Sequence, residues 1–119
     1  MNEPRLSFKE MCSKFDVTPR TLRYYEYIEL LTPDKEGRSR FYTSREIARM
    51  TLILRGRRFG FSLEEIRQWL EMYETDGTDV QMQTWVQNAT RQIEQLTAQR
   101  DELTASIEEL IKLRDDVSK

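Results

Sequence analysis

The chain has 119 residues, 38% of them hydrophobic and 34% charged, with 19 basic and 21 acidic side chains. This composition is too apolar for a disordered chain and predicts one compact domain with a long solvated extension. Cys12 is the only cysteine and there is no histidine, which argues against a disulfide framework, a Cys/His zinc site and an imidazole-based triad. No apolar run reaches the roughly 18 residues of a membrane span, and residues 1–4 carry no secretory leader signal. We therefore expect a cytoplasmic protein that is not an enzyme, binds no metal or cofactor and does not enter the membrane.

The charge is unevenly distributed along the chain. Residues 5–58 contain 13 basic and 7 acidic side chains, a net charge of +6. Residues 75–119 contain 5 basic and 9 acidic side chains, a net charge of −4. A cationic first half is typical of a module that binds a polyanion. Ordinary unevenness of surface charge is the alternative interpretation at this point.

Four segments in the first part of the chain carry helix-start signals. A capping box, in which Ser or Thr is followed three residues later by Glu, occurs three times. The pairs are Ser7 with Glu10, Thr43 with Glu46 and Ser62 with Glu65. Thr18 before Pro19 is a fourth start, because a capping hydroxyl there precedes proline at the first helical position. These signals predict four short helices, over about 8–15, 19–28 and 44–58 and from 63 onward.

The first two predicted helices are close enough in sequence to form a helix-turn-helix. The first carries an apolar stripe that includes Cys12, which we interpret as a small buried hydrophobe. The second turns Leu22 and Tyr25 inward, and helical spacing groups basic and aromatic side chains on another face. That face consists of Arg20, Arg23, Tyr24 and Tyr27. A solvated face whose tyrosines pack at an edge is the alternative.

A short hairpin is predicted after the second helix. Pro33 and Gly37 supply turn chemistry, and the residues that follow alternate with period two. This alternation places Arg38, Arg40 and Tyr42 on one side of a strand. Such a wing can reach phosphates or a minor groove with its arginines.

A heptad repeat occupies the last third of the chain. Its positions are Met82, Val86, Ala89, Ile93, Leu96, Arg100, Leu103, Ile107, Leu110, Arg114 and Val117. Because Gly and Pro are absent from residues 80–119, we expect one helix of about 38 residues and about 57 Å, capped by Asp79. A regular apolar stripe exposed to water would be adhesive, so the helix needs a partner.

The predicted organisation is a head at 5–74 and a dimerisation helix at 79–118. The dimer interface is expected at Val86, Ile93, Leu96, Leu103, Ile107 and Leu110. Arg100 and Arg114 stand at core positions of the heptad, where they would set the register, pair with an acidic residue of the partner helix such as Glu94 or Glu108, or lie against the body of the other subunit.

Taken together, residues 6 to about 70 resemble the MerR family of bacterial transcription regulators. The matching runs are VTPRTLRYYE at 17–26, GRSRFY at 37–42, TSREI at 43–47 and FGFSLEEI at 59–66. The resemblance implies a mainly α fold, with a winged helix-turn-helix head of four short helices and a small β-hairpin wing, followed by a long C-terminal coiled-coil helix. It also implies a homodimer joined by an antiparallel coiled coil, which binds double-stranded DNA at a pseudo-palindromic promoter operator, with DNA distortion as one mode of regulation and RNA polymerase as a candidate partner.

Two departures from the family pattern affect what is expected. Glu29 stands where the family usually has glycine after the recognition helix, so we expect a strained or reshaped turn there. The end of the long helix has no cysteines and we expect no drug-binding domain after it, so metal, redox or drug sensing of the family's kinds is not expected.

The resemblance also suggests how the head would contact DNA. Thr18, Pro19 and Arg20 would lie nearest the bases, where Arg20 could bond guanine. The remaining candidates would contact the phosphate backbone. These are Arg23, Tyr24, Tyr27, Arg38, Arg40, Tyr42 and Arg45.

Two other functions stay open from the sequence. One is a coiled-coil adaptor whose head binds a protein, which the acidic tail favours and the cationic head does not. The other is an architectural DNA binder without a regulatory role, which would show no sequence specificity.

Overall fold

The computed structural model describes residues 5–75 and 77–119. By its internal contacts the chain divides into two compact units, one ending at Gly77 and the other spanning Thr78–Lys119. The first unit contains β1 (Leu6–Ser7), α1 (Phe8–Phe15), α2 (Pro19–Tyr27), β2 (Asp34–Glu36), β3 (Ser39–Tyr42), α3 (Ser44–Phe59) and α4 (Leu63–Glu74). The second contains α5 (Asp79–Val117). The predicted fold class is confirmed.

The helix starts follow the capping chemistry of the sequence at most positions. Ser7 Oγ accepts a hydrogen bond from the Glu10 backbone N–H at 3.1 Å, and Glu10 Oε1 accepts one from the Ser7 N–H at 3.0 Å. The bond from the Ser7 backbone lowers the pKa of Glu10. Ser62 and Glu65 form the same box at the start of α4. Each box satisfies two backbone donors that a helix leaves unpaired at its first turn.

Two cap predictions are wrong. Thr43 precedes α3 but its side chain makes no cap hydrogen bond. Its expected partner Glu46 is 3% exposed and instead accepts a hydrogen bond from the Thr32 backbone N–H at 3.1 Å. At α5 the capping residue is Thr78, which forms a capping box with Gln81, and Asp79 is the first helical residue.

The wing is part of a three-stranded antiparallel sheet in the order β1-β3-β2. Two residues, Gly37 and Arg38, connect the paired residues Glu36 and Ser39. Gly37 has φ 62°, the conformation that glycine adopts without steric cost in a tight hairpin turn. Arg38 therefore lies in the turn and not on the strand as predicted. The third strand, β1, was not predicted, because two residues are too short to show a period.

The core of the first unit lies between the helices and β3. Its fully buried side chains are Met11, Leu22, Leu30, Leu31, Tyr42, Met50, Ile53, Ile66 and Leu70. After α2, Glu29 has φ 64°, a left-handed conformation that is strained for a residue with a Cβ. The expectation of a strained turn at Glu29 is thus confirmed.

The second unit is one continuous helix of 39 residues. None of the described helices combines the length and hydrophobicity that a bilayer crossing requires. The apolar heptad positions of α5 are exposed over much of its length. Their exposed fractions are 55% for Val86, 63% for Ile93, 41% for Leu96, 64% for Leu103, 57% for Ile107 and 67% for Leu110.

Candidate nucleic-acid interface

The first turn of α2 projects outward from the head. Thr18 caps it, and its Oγ1 accepts a hydrogen bond from the Thr21 backbone N–H at 3.1 Å. Pro19 occupies the first turn without leaving a donor unpaired. Thr18, Pro19 and Arg20 are all exposed, while Leu22, two residues further on, is fully buried. The buried side of α2 thus fixes the direction in which this exposed first turn points.

The predicted basic and aromatic face of α2 is on the surface. Tyr24 is 48% exposed and Tyr27 83% exposed; Arg20 and Arg23 are exposed as well. Within residues 5–75 and 77–119, neither arginine forms an ion pair. Their charges are therefore available to an anion from outside the chain.

One predicted contact residue, Tyr42, does not belong to this surface. Tyr42 is 0% exposed, and its hydroxyl donates a hydrogen bond to the Glu26 carboxylate. Burial, and then this hydrogen bond, raise the pKa of Tyr42. The prediction that Tyr42 touches DNA is therefore wrong. The alternation of side chains along β3 does group Tyr42 with Arg40, but the end of β3 that carries Tyr42 enters the core.

Tyr42 and Glu26 instead fix the position of Arg40. Glu26 Oε1 pairs with Arg40 Nη1 at 3.3 Å, and the Arg40 side chain is 35% exposed. The same carboxylate also accepts a hydrogen bond from the buried Tyr42 hydroxyl. The core therefore holds the wing arginine through two successive bonds, Tyr42 to Glu26 and Glu26 to Arg40. The sequence pattern assigned Glu26 no role, because spacing along α2 does not show that β3 brings Arg40 and Tyr42 to this carboxylate.

An open groove of about 480 Å³ separates the wing from the helix-turn-helix. Its lining brings together residues of β1, α1, α2 and the wing. They are Ser7, Phe8, Lys9, Arg23, Arg38, Ser39, Arg40 and Phe41. Four of these eight are cationic, so the groove suits an anionic ligand such as a phosphate. Lys9 and Phe8 were missed as site residues, because their place depends on the unpredicted β1.

Arg45, at the start of α3, is exposed but already paired. Its guanidinium contacts Glu46 and, at 2.9 Å, Glu74 at the end of α4. Arg49 binds Glu74 at 2.8 Å and donates to the Leu30 carbonyl at 2.8 Å. Partial burial pushes the pKa of Glu74 upward, but the hydrogen bonds from Arg49 and Arg45 outweigh burial and bring it below its ordinary value. Arg45 therefore differs from Arg20 and Arg23, because an anion must compete with carboxylates for it.

The described residues include no group of three or more His, Cys, Asp or Glu residues placed to hold a metal ion. Cys12 is half-buried, and burial raises the pKa of its thiol, which keeps it protonated and poorly nucleophilic at neutral pH.

A helix-turn-helix, an arginine-bearing wing and a cationic groove between them define a winged helix-turn-helix protein. Two family models match the chain: "MerR HTH family regulatory protein" over residues 6–73 and "MerR, DNA binding" over residues 47–113. Each spans more than half of the chain, so the chain belongs to the MerR family. It is a MerR-type transcriptional regulator with a DNA-binding domain.

Relatives and solved structures agree with this assignment. An uncharacterized HTH-type transcriptional regulator of Pseudomonas aeruginosa is 34% identical over 113 residues, covering 92% of this chain and 78% of that protein. The HTH-type transcriptional regulator HmrR of Rhizobium leguminosarum is 29% identical over 108 residues, covering 89% of this chain and 84% of that protein. A MerR family regulator from Bacillus cereus superposes with a TM-score of 0.73 at 26% identity, covering 98% of this chain and 84% of that one. The relatives are transcriptional regulators, a class without enzymatic activity.

The fold is also shared with HiNmlR, described as a MerR family regulator lacking the sensor domain, bound to promoter DNA. Its TM-score is 0.69 at 20% identity, covering 88% of this chain and 80% of that one. At this identity the likeness concerns the fold.

Proposed function

We propose that the protein is a homodimer that binds a pseudo-palindromic promoter operator and regulates transcription from that promoter. The observation that carries the proposal is the first turn of α2, where Thr18, Pro19 and Arg20 are exposed at the end of a helix anchored by buried Leu22. In a helix-turn-helix, this end of the second helix reaches base edges in the major groove.

The contacts divide into one that reads bases and several that hold phosphates. Arg20 reads a base, and a bidentate bond to guanine gives about 1–3 kcal/mol of discrimination. Arg23, Tyr24 and Tyr27 hold phosphates beside it. Arg38 and Arg40 extend these backbone contacts from the wing, and Arg45 joins them by exchanging Glu74 for a phosphate.

The dimer forms through an antiparallel coiled coil of two α5 helices. Support comes from the exposed apolar positions, of which Leu103 and Leu110 are 64% and 67% exposed. A single chain that left this stripe in water would aggregate, and a second copy offers the same stripe. Because dimer symmetry sets half-site spacing, the coiled coil would hold two heads one or more helical turns of DNA apart.

At the promoter, RNA polymerase is the second partner we propose, and the site of action is the cytoplasm, at the nucleoid. HiNmlR, which shares the fold, is described as bound to promoter DNA. Regulation by distorting the operator and regulation by simple repression both require two heads at a fixed separation. No ligand, metal or cofactor enters the proposal.

Selection of bound sequences from random DNA tests the specificity that we propose. The expected result is an enriched pair of inverted half-sites. Enrichment of a single half-site would contradict the dimer, and binding without any enriched sequence would indicate an architectural DNA binder.

The division of roles is tested with Arg20→Ala and Arg23→Ala. Arg20→Ala should weaken operator binding by about 1–3 kcal/mol for each half-site and relax specificity at one base pair of each half-site. Arg23→Ala should weaken binding to operator and random DNA alike. Equal effects of both variants on the two DNAs, measured by fluorescence anisotropy, would contradict this division.

A further inference from the structure

Phe8 lies under two of the four cations of the groove. The guanidinium carbon of Arg23, from α2, is 5.2 Å from the centroid of the Phe8 ring. The guanidinium carbon of Arg40, from β3, is 5.6 Å from the same centroid. One half-buried ring at the start of α1 is thus in contact with a cation from α2 and a cation from the wing.

These contacts hold the two arginines without cancelling their charge. A ring attracts a guanidinium through its quadrupole, whereas a carboxylate neutralises it. Arg23 has no ion pair within the described residues, and Arg40 has one, to Glu26 at 3.3 Å. A guanidinium stacked on a ring can still donate its N–H groups in plane to oxygen acceptors.

We infer that Phe8 is a positioning residue that orders Arg23 and Arg40 as a pair, so that together they grip one phosphate of the DNA backbone. This inference rests on the proposed function, since it names how that interface is organised. Ordering two long side chains before binding removes part of the entropy cost of binding, which is about a two- to tenfold change in Kd for each side chain.

The alternative role for Phe8 is packing alone, and Phe15 provides the matched control. Phe15 is at the other end of α1, is also half-buried and lies 5.8 Å from a cation, Lys14. It lines a different groove, with Thr51, Leu54, Arg55 and Arg58. Phe15→Leu therefore removes a ring from the same helix without touching the interface.

The test measures binding of a mixed-sequence DNA duplex at low salt by fluorescence anisotropy, because phosphate contacts do not depend on sequence. Phe8→Leu should raise the Kd about tenfold by releasing both arginines. Phe8→Tyr keeps the aromatic face and should stay within about twofold of wild type, as should Phe15→Leu. Thermal unfolding by circular dichroism identifies any variant whose loss of binding comes from loss of fold.

A double-mutant cycle separates positioning from packing. In an Arg23→Ala, Arg40→Ala background, Phe8→Leu should change the Kd by no more than about twofold, since the side chains it positions are gone. A folded Phe8→Leu variant that binds like wild type would overturn the inference, and so would a full tenfold loss in the double-alanine background. Failure of the wild type to bind any duplex would overturn the proposed function and this inference together, whereas the first two results would leave the proposed function intact.

Discussion

The turn after α2 predicts that Glu29→Gly stabilises the protein. Glu29 has φ 64°, and a left-handed conformation costs a residue with a Cβ about 1–2 kcal/mol. Glycine removes this cost, but its greater freedom in the unfolded chain lowers the free energy of unfolding by about 0.4–1 kcal/mol. The Glu29 side chain is exposed, so little packing is lost. The net gain should be about 1 kcal/mol, which corresponds to a Tm increase of about 4–8 °C for a domain of this size.

The assay is thermal unfolding by circular dichroism at one fixed protomer concentration, because dimerisation makes Tm depend on concentration. Glu29→Ala is the control, since it removes the same charge and keeps the Cβ. Asp16→Gly is a second comparison: Asp16 has φ 52° but aspartate tolerates this region better, so its gain should be smaller. If Glu29→Ala gained as much as Glu29→Gly, charge and not backbone strain would explain the effect.

Three further predictions follow from packing, the exposed stripe and ion pairing. Gly56→Ala should destabilise the head by about 1–3 kcal/mol in urea unfolding, because the new Cβ would lie 2.8 Å from Ile66 Cγ1; unchanged stability would show that α3 and α4 can separate freely. Leu103→Asp should give a monomer in light scattering and weaken DNA binding steeply, since a dimer would bury two carboxylates; a persisting dimer would place the interface elsewhere. Glu74→Gln should lower stability near neutral pH by about 1 kcal/mol after solvent screening. The pKa of Glu74 is lowered in the folded protein, so the stability that its carboxylate contributes is present above its ordinary pKa and is lost as the pH falls through its folded-state pKa. The variant lacks this carboxylate and should therefore lose less stability than wild type below about pH 4.5. A parallel loss of stability in acid titrations of the two proteins would contradict this.

Local signals were enough to predict the helices, because each helix-start signal involves only a few neighbouring residues. Thr18 with Pro19 and Ser62 with Glu65 act within one helical turn. The Thr43 box failed because Glu46 instead accepts a hydrogen bond from the Thr32 backbone N–H, outside its own helix. A sequence pattern does not show that competition, since Thr32 lies 14 residues earlier.

The exposure of the candidate contact residues was predictable on α2 and less so on the wing. Side-chain spacing on one helix is fixed by its geometry, and Arg20, Arg23 and Tyr27 are all exposed as expected. On β3 the same kind of reasoning grouped Arg40 with Tyr42, but only packing decides where a strand enters the core. For that reason Tyr42, which was predicted to contact DNA, instead supports Arg40.

The pairing of individual arginines determines how steeply salt should weaken DNA binding. The slope of log K against log salt is about −0.9 for each phosphate that the protein neutralises. Arg40 and Arg45 already face carboxylates at 3.3 and 2.9 Å, so their contact with a phosphate releases fewer counterions than that of an unpaired cation. If three unpaired cations of each head, Lys9, Arg23 and Arg38, each neutralise a phosphate while Arg20 reads a base, the slope for a dimer is about −5. Arg40 shares the phosphate of Arg23, so full participation of Arg45 would add one phosphate per head and bring the slope to about −7. A measured slope near the larger value would mean that Glu74 releases Arg45 when DNA binds, and Glu74→Gln would then change the slope little.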